Sequence, residues 1–175
     1  MLRFLLPLLT AGLLVKADQC CNAGWSLSPQ KDRCVQVSSQ PMIWDQASAA
    51  CRSMQAALVS IHNTFDNTFI WNLAAKAPNV TFGIWLGGHT NTPMAQQTTG
   101  WTWADGMTWN YANWQQGKPD NWQGCNGLGF PDTNQQCLEM WVWHGADPDS
   151  AHTQYWNDQC CHRPLNFICE KKPTC

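Results

Sequence analysis

Ten cysteines constrain this chain more than any other feature of its sequence: Cys20, Cys21, Cys34, Cys51, Cys125, Cys137, Cys160, Cys161, Cys169 and Cys175. In 175 residues that density means either metal–thiolate sites or a disulfide framework. No Cys-x-x-Cys pair is present and the five histidines are scattered, so a structural zinc site has little support. The amino terminus decides for disulfides. Arg3 precedes a short apolar run from Phe4 to Val15, and Val15-Lys16-Ala17 ends on a small residue, the pattern of a secretory signal peptide over 1–17. That run is too short to cross a bilayer as a stable helix, and Pro7 interrupts it. The expected product is a secreted domain over 18–175, without membrane insertion, held by as many as five bridges. Spacing alone does not choose among the many possible pairings.

Composition excludes further classes. Only 13% of the residues are charged and the formal net charge is -2, so there is no basic excess to neutralise a nucleic-acid backbone. A hydrophobic share of 44%, with twelve tryptophans, supports a buried core and argues against disorder. No internal repeat, low-complexity tract or Pro/Ser-rich linker divides the chain, which points to one domain. No Gly-x-Ser-x-Gly elbow or phosphate-cradling Gly-Lys loop occurs, and no acid, base or nucleophile has an evident orienting partner, so an enzyme is not expected. Asn79-Val80-Thr81 is the only Asn-x-Ser/Thr sequon and a glycosylation candidate at Asn79.

Periodicity predicts a helix near 42–55, where Trp44, Ala47, Cys51 and Met54 share a face, and a second near 64–76. In the second, Phe65, Phe69, Leu73 and Lys76 follow the helical period, and Pro78 closes it. Short strands are expected at 57–61, 82–87, 137–142, 154–156 and 166–170. Between 88 and 133 the periodicity fades into Gly, Pro, Asn, Asp and Gln with scattered Trp; a loop of that length is either functional or a misread element. The fold class is α+β. Asp147 and Asp149 fall in an apparent insertion before Trp156 that carries no readable motif.

Several segments in order resemble the C-type lectin-like domain, across essentially all of 18–175. They are Cys21-Asn22-Ala23-Gly24-Trp25, Trp44 through Cys51, and Ala57-Leu58-Val59-Ser60-Ile61-His62. Trp85-Leu86-Gly87-Gly88, Trp101-Thr102-Trp103-Ala104-Asp105-Gly106 and Asn113-Trp114 continue the match. Trp156-Asn157-Asp158 and Phe167-Ile168-Cys169-Glu170 end it. The resemblance implies two helices flanking small antiparallel sheets, with a long irregular binding loop. It also implies the bridges Cys51–Cys169, Cys137–Cys161 and Cys21–Cys34. The chain ends lie close together in that fold, from which Cys20 is paired with Cys175 and Cys125 with Cys160.

In sugar-binding members of that family a calcium ion sits on the long loop, and two vicinal sugar hydroxyls complete its coordination. The ligands lie at a residue-Pro-residue triplet whose proline is typically cis, two positions before a family cysteine, and at the Asn-Asp of Trp-Asn-Asp. Those positions are here Lys118-Pro119-Asp120, Gln135, Asn157 and Asp158. Asp120, Gln135, Asn157 and Asp158 offer the oxygens that calcium prefers, whereas Lys118 has no lone pair to give and Gln135 replaces a charged Glu. Lys118 therefore has three readings: a solvated loop charge, a cation paired with Asp120 and Asp158, or a weakening neighbour of a calcium ion that draws extra oxygen from Asp132 or Asn134. The last is the expectation taken forward, so calcium is an expected but weakened cofactor.

Asp120 and Trp122, followed by Gly124, Gly127 and Gly129, resemble the galactose-type loop, in which a Trp stacks on the apolar face of the sugar. Trp122 is either that platform or one more packed indole. The carbohydrate-binding set is thus Asp120, Trp122, Gln135, Asn157 and Asp158, and the expected partners are glycans or glycoproteins. The alternative is a calcium-independent lectin-like module for a protein or other surface ligand. Oligomeric state is not readable from the sequence.

Overall fold

The computed structural model describes residues 20–92, 97–142 and 154–175. The 1–17 segment, the 147–149 insertion, His144 and His152 lie outside the described residues. An amino-terminal hairpin, β1 (Ser26–Leu27) and β2 (Cys34–Val37), leads into helix α1 (Trp44–Ser53). Strand β3 (Ala57–Leu58) and helix α2 (Thr64–Lys76) follow, then β4 (Gly83–His89) and β5 (Thr102–Trp103). Strands β6 (Cys137–Trp141), β7 (Trp156–Gln159) and β8 (Asn166–Lys171) close the chain. The sheet runs β1-β2-β8-β4-β6-β7, with β3 added on β8 and β5 on β4. Antiparallel pairing was expected throughout, but β4 and β8 pair in parallel, Ile84 opposite Asn166 and Trp85 opposite Phe167, and so join the halves. The expected strand at 154–156 begins later, because Gln154 has φ +73 and forms the turn before β7.

Helix α2 matches its expected span, and Asn63 accepts a hydrogen bond from the backbone of Asp66 as its N-cap. Its buried face differs from the expected one. Asp66, Asn67, Ile70 and Ala74 point inward, while Phe65 is 79% exposed. The reason is polar: Asn67 accepts from Trp156 Nε1 at 2.8 Å and Asp66 meets Arg33 at 2.8 Å. Two satisfied buried polar groups outweigh one exposed phenyl ring. On α1, Trp44, Ala47, Ser48 and Cys51 are buried, but Met54 lies past the helix end and is exposed.

The core has two parts. Ile61, Ile70, Ile84, Leu86, Leu138, Met140 and Ile168 pack between α2 and the sheet, each side chain contributing about 1.5–3 kcal/mol of burial. Trp44, Ala47, Leu58, Trp85 and Phe167 form the second part around α1. Beside them Arg33 reaches Glu170 at 2.8 Å, Asp66 at 2.8 Å and the carbonyl of Ser60 at 2.7 Å, all largely shielded from water. Burial pushes the Glu170 carboxyl above its ordinary range, against the opposing pull of Arg33 and Ser60.

Five bridges close in the described residues: Cys20–Cys175, Cys21–Cys34, Cys51–Cys169, Cys125–Cys160 and Cys137–Cys161. They are the pairs drawn from the sequence. The 101–114 part of the long loop is not structureless. It folds as an aromatic stack in which Trp103 and Trp109 lie 4.5 Å apart, Trp101 and Trp114 4.8 Å apart, and Trp156 meets several of them edge-on.

Candidate functional site

The second half of the loop starts where the chain runs beside β7. Trp156 donates its amide to the Asn113 carbonyl at 2.8 Å and accepts one from Gln115 at 3.0 Å. A turn through Gly117, with φ +84, then delivers the Lys118-Pro119-Asp120 triplet, whose Lys118–Pro119 peptide is cis. Asp158 on β7 meets the backbone of Asp120 and Asn121, Gln135 just before β6 meets that of Trp122, and the side chain of the neighbouring β7 residue Asn157 is held on Glu139. Asp120, Gln135 and Asp158 are thereby gathered around residues 118–122.

Most of their oxygens are already engaged. Asp158 accepts the backbone N–H of Asp120 on Oδ1 at 3.0 Å and that of Asn121 on Oδ2 at 2.6 Å. Gln135 Oε1 accepts the N–H of Trp122 at 3.3 Å. Three successive loop amides thus close on two of the expected calcium ligands. Asp120 Oδ2 takes Lys118 Nζ at 2.6 Å. The Lys118 side chain is only 21% exposed, so it is folded into the loop rather than solvated away from it. Asn157 Oδ1 is buried and has no hydrogen-bond partner. Burial pushes the Asp158 carboxyl above its ordinary range, the two amides pull it down, and Asp120 and Lys118 act on it in opposite senses.

The orphaned Asn157 oxygen, two carboxylates and an amide carbonyl fit a calcium ion in ligand type. The ion has to compete with Lys118 for Asp120 and with two amides for Asp158. Asp132, a possible extra oxygen, is committed elsewhere: His162 donates its backbone N–H at 2.8 Å and its Nδ1 lies 2.6 Å from Asp132 Oδ1.

Glu139 was not singled out from the sequence, yet it orients the site. Its buried Oε2 accepts from Asn157 Nδ2 at 3.1 Å, Gln159 Nε2 at 3.2 Å and Trp141 Nε1 at 3.3 Å. With the Asn157 amide nitrogen held on Glu139, its oxygen is turned the other way. Gly83 makes room for this carboxylate, since a Cβ there would overlap it. The only available sequence signal was an acidic residue inside an otherwise apolar strand, Cys137-Leu138-Glu139-Met140-Trp141.

Trp122 is 45% exposed, so it is not a core indole. Its ring lies against Gly124, where any Cβ would collide with it. Glycine at 124 is therefore what seats the ring, with much of its surface left to solvent. Gly129, with φ +84, ends a short 3-10 turn over Asn126–Leu128, and Cys125–Cys160 ties this segment to the end of β7. A flat apolar face beside hydrogen-bonding groups of both signs is what a pyranose ring requires. Asn79 is exposed and donates from Nδ2 to the Ser39 carbonyl at 3.1 Å, remote in sequence from the loop.

The family description "Lectin C-type domain" matches residues 40–171. The galactose-specific lectin nattectin of Thalassophryne nattereri is 29% identical over 161 residues, covering 92% of this chain and 86% of its own length. C-type lectin domain family 10 member A of Homo sapiens is 29% identical over 153 residues, 86% of this chain, and the chain spans 40% of that relative's length. Among solved structures, a calcium-independent type II antifreeze protein superposes with a TM-score of 0.63 at 26% identity, covering 87% of this chain and 98% of that one.

Proposed function

The chain belongs to the C-type lectin domain family, and from that premise we propose that it is a secreted binding protein for galactose-type terminal sugars on glycans or glycoproteins. The observation that carries this reading is the half-exposed Trp122 ring seated on Gly124, one residue past Asn121 and two past Asp120. The galactose specificity in the name of nattectin supports it. Family membership also makes the chain a binding protein and not an enzyme. In this reading Trp122 stacks on the apolar face of the sugar, Asp120 accepts from its hydroxyls, and Asn157, held by Glu139, presents an acceptor. Calcium, when bound by Asp120, Gln135, Asn157 and Asp158, supplies a cation that two vicinal hydroxyls can coordinate. Lys118 on Asp120 makes that binding weak. Residues 1–17 are the signal peptide that exports the chain, and Asn79 carries a glycan.

The test is retention of the oxidised protein on immobilised galactose, eluted by free galactose and not by mannose, and lost in Trp122→Ala. Retention that is indifferent to both sugars overturns the reading. It would favour the second one, a lectin-like module for a protein or other surface. The Lys118–Asp120 pair and the likeness to a calcium-independent antifreeze protein support that alternative.

A further inference from the structure

We propose that Lys118 is the resident cation of the loop: its ammonium, with three backbone amides, engages one Asp120 oxygen, both Asp158 oxygens and the Gln135 carbonyl, most of the oxygens that a metal ion would otherwise take, so the loop keeps its binding shape when calcium is removed. The accounting is by oxygen. Asp120 meets the ammonium, Asp158 meets the amides of Asp120 and Asn121, and Gln135 meets the amide of Trp122. Every one of these donors lies within residues 118–122, so the segment supplies the site's hydrogen bonds and one compensating charge from its own groups. Without Lys118, the carboxylates of Asp120 and Asp158 would face each other across one short segment with amides alone between them. An ammonium carries three hydrogens and Asp120 takes one. The other two are donors that sugar hydroxyl oxygens can accept in place of metal coordination.

Resting on the sugar reading above, Lys118 then becomes a direct ligand of the galactose-type sugar, and binding survives chelation. Calcium and Lys118 are alternative occupants of one place, which makes the loop insensitive to calcium concentration.

Two readouts separate this proposal from the sugar reading. The first is hydrogen exchange of the Asp120, Asn121 and Trp122 amides in the oxidised wild-type protein, with EDTA and with millimolar calcium. Protection should agree within about twofold between the two conditions, and Lys118→Gln should lose about fivefold in EDTA and recover it with calcium. The second is retention on immobilised galactose in EDTA. Wild-type amides that lose protection in EDTA sink the proposal without recourse to any variant. So does a Lys118→Gln protein that stays as protected as wild type. Protection that persists while galactose is ignored in both conditions leaves Lys118 in its place and removes the sugar reading instead.

Discussion

Two cations in this molecule each sit among carboxylates, and their surroundings differ. Arg33 lies between Asp66 and Glu170 with 10% of its side chain exposed, and both partners are equally hidden. Lys118 lies on Asp120, near Asp158, with its own side chain 21% and that of Asp120 43% exposed. A planar guanidinium satisfies two carboxylates and a carbonyl at once, and a buried arrangement of that kind cannot lose a member without stranding charge. A flexible ammonium on a half-exposed carboxylate contributes about 0–1 kcal/mol and can be exchanged for another cation. The difference is one of permanence. Arg33 belongs to the scaffold, and Lys118, in the proposal above, belongs to a place where occupants change.

The comparison breaks most decisively at Arg33. Arg33→Met should cost about 3–5 kcal/mol, because Glu170 and Asp66 stay buried without their cation, read as a fall in the denaturant midpoint with the disulfides intact. A loss below about 1 kcal/mol would place Arg33 in the same class as Lys118. Next comes Trp122→Ala, which should weaken galactose binding ~10-fold or more and leave the unfolding midpoint within about 0.5 kcal/mol of wild type. Loss of fold there would return Trp122 to the core.

Lys118→Gln should raise calcium affinity about tenfold, or ~1.4 kcal/mol, by calorimetric titration, because it frees Asp120 and removes a repelling charge. Unchanged affinity would mean that the amides on Asp158 set the limit, not the lysine. The smallest effect concerns pH. The Glu170 carboxyl is raised in the folded state, so its contribution to stability is complete below the ordinary glutamate value of 4.5 and is lost as pH climbs through the raised value. Glu170→Gln should therefore flatten the decline of stability with pH in the window that opens just above 4.5, measured as the wild-type-minus-variant difference in unfolding free energy. A difference that runs the other way would mean that Arg33 outweighs burial.

Much of the scaffold was legible because it is periodic or covalent. Helix α2 has a helical repeat, an N-cap at Asn63 and a closing Pro78, and its span matches the expectation. Its rotation was not legible, because the inward turn of Asp66 and Asn67 depends on Arg33 and Trp156, which are distant in sequence. The loop positions Asp120, Gln135, Asn157 and Asp158 were findable through resemblance to a family pattern, not through any local rule. Trp101, Trp103, Trp109 and Trp114 gave no periodic signal, since rings stack by meeting in space. Glu139 stayed hidden for a similar reason: its partners Asn157 and Gln159 are supplied by the neighbouring strand β7. The Lys118–Asp120 contact is half of one of the three readings, which paired Lys118 with Asp158 as well, and only side-chain placement reveals it.

The Cys20–Cys175 bridge brings the two ends of the described chain to a Cα–Cα distance of 4.8 Å and encloses 155 positions of sequence separation. Between those cysteines the polypeptide is a covalent ring. A protease that cuts one peptide bond in an exposed loop therefore opens the ring but releases no fragment, and mass alone rises by a single water. Only a thiol reductant would let the pieces part. Clipping and reduction act on this molecule as a two-key lock, so a single cut in an oxidising environment leaves every binding residue attached to the same body.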